Sequence, residues 1–151
     1  MAIEIRSDEV TTAWRNTLMA YRRVTDSLDR DLREEAGLTL GWYEVLLLLA
    51  SAENERLRMT DLAEEMIISR SAATRLVDRL VADGMVCREV CEADRRGTEV
   101  ALTDAGRETF LKAGRIHFRG IHERFGEHLS AAELEVIQEA FARVAAASPR
   151  V

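Results

Sequence analysis

SRSAATRLVDRL, Ser69 to Leu80, puts three arginines on one short stretch of a chain whose net charge is −6. At about 100° per residue, Ala72, Ala73, Leu76, Val77 and Leu80 share one arc of a helix and must pack inward. The opposite arc carries Ser71, Thr74, Arg75, Asp78 and Arg79, with Arg70 at its edge near the amino end and no large apolar residue between them. Small polar residues beside arginines suit a helix lying in a major groove of duplex DNA. Bulk would hold the helix out, whereas Arg pairs with guanine and Ser or Thr with phosphates. The amino end adds its dipole and free N–H groups. A solvated face is the commoner meaning of such an arc, so its neighbours must decide.

On the amino side, a short helix expected to be capped by Thr60 runs through Met66, and Ser69 caps the arginine helix, which ends at Gly84. The two form a helix-turn-helix. Ile67 stands in the turn where a glycine is usual. Because a β-branched residue disfavours positive φ, the turn is expected to avoid it, with Ile67 or Ile68 anchoring the two helices. On the carboxyl side, MVCREV (Met85–Val90) and TEVALT (Thr98–Thr103) alternate around the polar tip EADRRG and read as a β-hairpin. Asp94 beside Arg95 and Arg96 can hold a guanidinium extended, a shape that fits the narrow minor groove. RLRM, Arg56–Met59, reads as a brief strand.

Farther out, Val10, Trp14, Leu18, Tyr21, Val24, Leu28 and Leu32 recur in steps of three and four, predicting a long helix from Asp8 to Glu35 that Gly37 ends. Thr39 caps a second helix whose run Val45–Ala50 is apolar nearly all round, as a central buried helix would be. Thr103 caps another long helix with Phe110, His117, Phe118, Ile121 and Phe125 at helical spacing. Ser130 and Glu133 form a capping box for the last helix, whose Leu134, Ile137, Phe141 and Val144 face one way. The outer helices carry more apolar surface than one small winged core can cover, which invites a second subunit.

With 151 residues the chain can bury a sizeable core as one domain, or as a compact domain with appended helices. Its acidic total argues against a nucleic-acid partner only globally. Ser69 to Arg96 holds six arginines (70, 75, 79, 88, 95, 96) against five acids (78, 83, 89, 92, 94), a local +1, and the remainder holds −7. Basic charge is thus segregated into one segment. The amino terminus has neither a basic start nor an apolar run, and Val45–Ala50 is far shorter than the ~20 apolar residues a bilayer span needs. A cytoplasmic location is expected.

LAEEMIISRSAATRLVDRLVADGMV, followed by D-R-R-G-T-E-V-A-L-T-D-A-G, resembles the MarR family of winged helix-turn-helix regulators. That family's wing pattern, D-x-R, five residues and then L-T, is met by Asp94, Arg96, Leu102 and Thr103, with Gly106 following. The resemblance implies a mainly α fold with a small β-hairpin wing (α+β). Residues 37–103 would be the winged helix-turn-helix domain, and 1–36 with 104–151 a helical dimerisation region. It further implies an intertwined homodimer on a pseudo-palindromic operator, acting as a repressor released by a small aromatic or phenolic ligand. DNA contacts fall on Ser69, Arg70, Ser71, Thr74 and Arg75, with Arg96 in the minor groove, Asp94 as its brace, and Arg79 and Arg95 on phosphates. Trp14, Tyr21, Trp42 and His117 are candidates for lining the ligand site, although packing alone would explain aromatic residues there. The alternative is a winged-helix protein-interaction module without DNA binding.

Other chemistry finds little footing. Cys87 and Cys91 share strand parity, but at that spacing they stand about 13 Å apart, too far for a direct disulfide. No electropositive setting marks them as oxidant sensors, so inert thiols are expected. His117, His122 and His128 with Glu123 and Glu127 lack an H-x3-H or H-E-x-x-H spacing, and no metal or other cofactor is expected. Nor is an enzyme expected, because no nucleophile, base and orienter set and no glycine-rich phosphate loop occurs.

Overall fold

The computed structural model describes residues 8–90 and 98–148. Helix α1 (Glu9–Ala36) starts at Asp8, whose carboxylate accepts the Thr11 N–H in a capping box, and stops at Gly37 in the left-handed conformation (φ 69°). Helix α2 (Leu40–Ser51), capped by Thr39, runs through the core with Tyr43, Val45, Leu46 and Leu49 buried. A short 3-10 turn, Glu53–Glu55, leads into β1 (Arg56–Arg58). Helices α3 (Met59–Glu65) and α4 (Arg70–Ala82) follow, then strands β2 (Val86–Val90) and β3 (Thr98–Leu102). Helix α5 (Asp104–Arg124) and, after a 3-10 turn at Gly126–His128, helix α6 (Ala131–Ala147) complete the chain. The fold class expected from the sequence, mainly helical with a small antiparallel sheet, is what forms.

The sheet has the order β1-β3-β2, all antiparallel, with Leu57 opposite Val100 and Arg88 opposite Val100 on its other side. One core joins it to the helices: Leu32, Leu38, Val45, Leu46, Leu49, Leu62, Val77, Leu80, Val86 and Val100 are all buried. Inward-facing residues of α4 therefore close on the same cluster as α2 and the sheet, which fixes the roll of α4 about its own axis and decides which arc points out.

Two local expectations are corrected. Thr60 does not cap α3: Arg58 occupies the N-cap position and makes no side-chain capping bond to the helix, and the Thr60 hydroxyl turns to Asp61 instead. The chain passes straight from β1 into the helix, and burial of Met59 leaves no spare residue for a cap. Ile67 does not avoid positive φ but adopts it, at 55°. The Ile67 N–H donates to the Glu64 carbonyl and the Ile68 N–H to the Ala63 carbonyl, the paired bonds of a Schellman ending with isoleucine at its left-handed position. Ile68 is the anchor, packed against the core, while Ile67 is 85% exposed. The same ending closes α4, where Gly84 (φ 71°) and Met85 donate to Val81 and Leu80.

Helix α6 buries no residue against the rest of the chain. Val10, Trp14, Leu18 and Tyr21 on the first half of α1 and Phe141 and Val144 on α6 are exposed, although Leu28 and Leu32 farther along α1 are buried. On α5 the buried residues are Gly106, Ala113, Ile116 and Gly120. The apolar stripe read there divides: Phe110 stacks on Tyr43 while Phe118 faces out against His122.

Candidate nucleic-acid interface

Helix α4 begins with Ser69, whose hydroxyl accepts the Ala72 N–H at 3.2 Å and lies 3.1 Å from the Ser71 hydroxyl. Its cap is thus made, at a value of about 1 kcal/mol for such a residue, and the N-terminal N–H groups not used by it stay open to an anion. Ala73, Val77 and Leu80 are buried. Arg70, Ser71, Arg75, Asp78 and Arg79 are exposed and Thr74 is half-buried, so the outward arc read from the sequence is the arc presented. The Thr74 hydroxyl donates to the Arg70 carbonyl at 2.9 Å, which spends its proton and leaves its oxygen to act only as an acceptor.

The cations of this arc are open to a partner from outside the chain. Arg33, Arg56, Arg107, Arg119 and Arg124 are each tied to a carboxylate. Arg70, Arg75 and Arg79 have no such partner among the described residues. The arc's own acid is occupied: Asp78 Oδ1 lies 2.7 Å from an Arg88 guanidinium nitrogen on β2. The sequence reading missed this pair. Its signal was the parity of Arg88 with the buried Val86, which turns Arg88 toward α4, where a guanidinium needs an acceptor.

The hairpin is seated on α4 and α5 by Thr103. Its hydroxyl lies 2.7 Å from the Gly84 carbonyl and 2.9 Å from that of Met85, and accepts the Gly106 N–H at 3.0 Å. One side chain thus fastens the end of α4, the start of β2 and the first turn of α5. On the far face of the sheet Arg56 reaches Glu89 at 2.9 Å and Glu99 at 4.0 Å, holding together two carboxylates that stand opposite each other across β2 and β3. Asp94, Arg95, Arg96 and Cys91 lie outside the described residues. Cys87 is half-buried near Glu89, and burial, with that carboxylate beside it, pushes its thiol pKa up, away from thiolate reactivity.

The four aromatic ligand candidates are not brought together. Trp14 and Tyr21 are exposed on α1, Trp42 is half-buried against the core, and the His117 ring lies tilted against Tyr43, centroids 4.4 Å apart. Burial lowers the His117 pKa, favouring the neutral ring. A groove between the α3–α4 turn and the end of α6, lined by Ala63, Ile67, Ile68, Ala145 and Ala146, contains none of the four. Among the described residues no cluster of three or more His, Cys, Asp or Glu could hold a metal ion, and no helix is long and apolar enough to cross a membrane.

A short helix, a tight turn, a second helix with an outward cationic arc and a three-stranded sheet behind it define a winged helix-turn-helix regulator. The comparisons make this specific: residues 36–97 match the MarR family, and the chain belongs to it. AbsC, a MarR family transcriptional regulator from Streptomyces coelicolor, is 34% identical, covering 93% of this chain and 94% of its own, with a TM-score of 0.86. Sco3205, a MarR family transcriptional regulator from the same organism solved in complex with DNA, is 32% identical over 95% and 94% of the two chains, with a TM-score of 0.88. The HTH-type transcriptional repressor YetL of Bacillus subtilis is 28% identical over 111 residues, 72% of this chain and 66% of its own length. The chain spans about two thirds of the length of the curated relatives it matches. It is a transcriptional regulator of a family of regulators, not of an enzyme family.

Proposed function

We propose that this regulator binds duplex DNA as a homodimer and represses transcription from a pseudo-palindromic operator. In each subunit Ser69, Arg70, Ser71, Thr74 and Arg75 enter the major groove and Arg79 meets phosphate. Arg95 and Arg96 at the wing tip, braced by Asp94, follow the backbone and minor groove beside it. The observation that carries this reading is the outward arc of α4, where three arginines without carboxylate partners among the described residues stand with Ser71 and Thr74 on one helical face beside the turn. The exposed apolar faces of α1 and α6 support pairing of two copies through residues 1–36 and 104–151. The repressor named among the relatives and the DNA held by Sco3205 support the rest. Release by a small aromatic ligand belongs to the same reading: a molecule bound where the dimer helices meet the winged domain would shift the spacing of the two recognition helices.

Selecting bound sites from random duplex DNA tests it. The selected site is expected to be a pseudo-palindrome with half-sites one helical turn apart, and affinity should fall about a thousandfold between about 50 and about 200 mM salt as counterions return. Arg75→Ala should relax the preference at its base, and Arg96→Ala should weaken binding further. A chain that retains no duplex at low salt would be an interaction module instead. Adding small aromatic carboxylates to the bound complex then tests release.

A further inference from the structure

Asp78 is out of place on a face meant for phosphates and base edges. It shares the exposed arc with Ser71, Arg75 and Arg79, and a bare carboxylate there would repel the duplex. It is not bare, because Arg88 on β2 holds it at 2.7 Å. Arg88 lies opposite Val100 in the hairpin, and the described strand ends two residues beyond it, at Val90. The bond therefore ties the recognition helix to the wing near the point where the wing leaves the core. Thr103 makes the corresponding tie at the other end of β2, to the Gly84 and Met85 carbonyls. With Val86 and Val100 in the core and β3 paired to β1, the base of the hairpin is fixed, and losing the outer tie loosens only the end of β2 farther from that base.

We infer that Asp78 is a positioning residue. Through Arg88 it sets the angle of the wing on the recognition helix, so that contacts in two grooves fall in register, and it makes no base contact of its own. This rests on the proposed DNA binding. Asp78 is 53% and Arg88 35% exposed, so the pair contributes little to stability and the consequence of losing it lies in recognition.

The sign of the effect separates positioning from simple charge. A site is first selected with the wild-type chain from random duplex DNA. Affinities for that duplex and for a scrambled one are then measured for wild type, Asp78→Asn, Arg88→Lys and Arg88→Gln, with thermal unfolding alongside. Asp78→Asn removes a negative charge, so scrambled-duplex affinity should hold or rise. Affinity for the selected duplex should fall, lowering the ratio of the two about tenfold, the size of one lost contact at a base position. Arg88→Lys, which keeps the ion pair, should retain most of the ratio. Arg88→Gln should lose it and should also bind scrambled DNA less well, its Asp78 being uncovered. If both affinities of Asp78→Asn rise together with the ratio unchanged, Asp78 is only a charge and the inference falls. If the wild type selects no site, the proposed function itself fails, a separate outcome.

Discussion

Ile67 shows what a single residue can cost a turn. Both Schellman endings in the helix-turn-helix need a left-handed residue; Gly84 supplies one without strain, whereas Ile67 reaches φ 55° with a branched side chain left 85% exposed. No burial offsets that strain, so Ile67→Gly should raise stability by about 1 kcal/mol after allowing for the greater freedom of glycine in the unfolded chain. For a chain of this size that is about 3 °C in Tm, read by thermal denaturation. A lower Tm would mean that the isoleucine side chain is held by a contact. The steric rule by which the sequence seemed to exclude Ile67 from positive φ is sound locally. It is overridden because α3 and α4 are each anchored in the core by Leu62, Ala73 and Val77, and the few residues between them must reverse direction whatever they are.

At the scale of elements, caps and periods were legible and cross-element ties were not. Thr39, Ser69, Thr103 and Ser130, though not Thr60, cap the helices they were read as capping, because an N-cap bond closes within three residues and needs no tertiary partner. The Asp78–Arg88 bond, by contrast, spans two elements whose approach is set by the core. The stripe on α5 misled in part for a related reason. Close approach favours small residues, so Gly106, Ala113 and Gly120 went inward and Phe118 outward. Gly106 is the tightest seat: a Cβ there would stand 1.9 Å from the Met85 carbonyl oxygen, a backbone atom that cannot swing aside. Gly106→Ala should cost about 2–3 kcal/mol, measured by urea unfolding. A neutral result would show that the start of α5 can lift from β2 without penalty.

For the whole molecule, the surplus of apolar surface was readable from the outer helices, while the identity of what covers it was not, since a lone sequence carries no partner. In the proposed homodimer, α6 is the element with most to gain, having no buried residue of its own. Replacing Phe141 and Val144 together by Glu should turn a two-chain species into one by analytical ultracentrifugation, with loss of affinity for the selected duplex. A variant that keeps its two-chain mass would place the interface elsewhere.

Helix α5 runs uninterrupted for 21 residues from the clasp at Thr103 to the turn before α6, a rod about 32 Å long. Its near end is bolted to the element proposed to read bases, its far end to the region proposed to join two copies. A rod built on a fixed screw cannot be lengthened without also being turned: one inserted residue advances everything beyond it by 1.5 Å and swings it by about 100°. Reach and facing are therefore a single variable. Evolutionary change in the gap between half-sites would come in steps near whole numbers of turns, with lengths in between yielding two reading heads that no single duplex could satisfy.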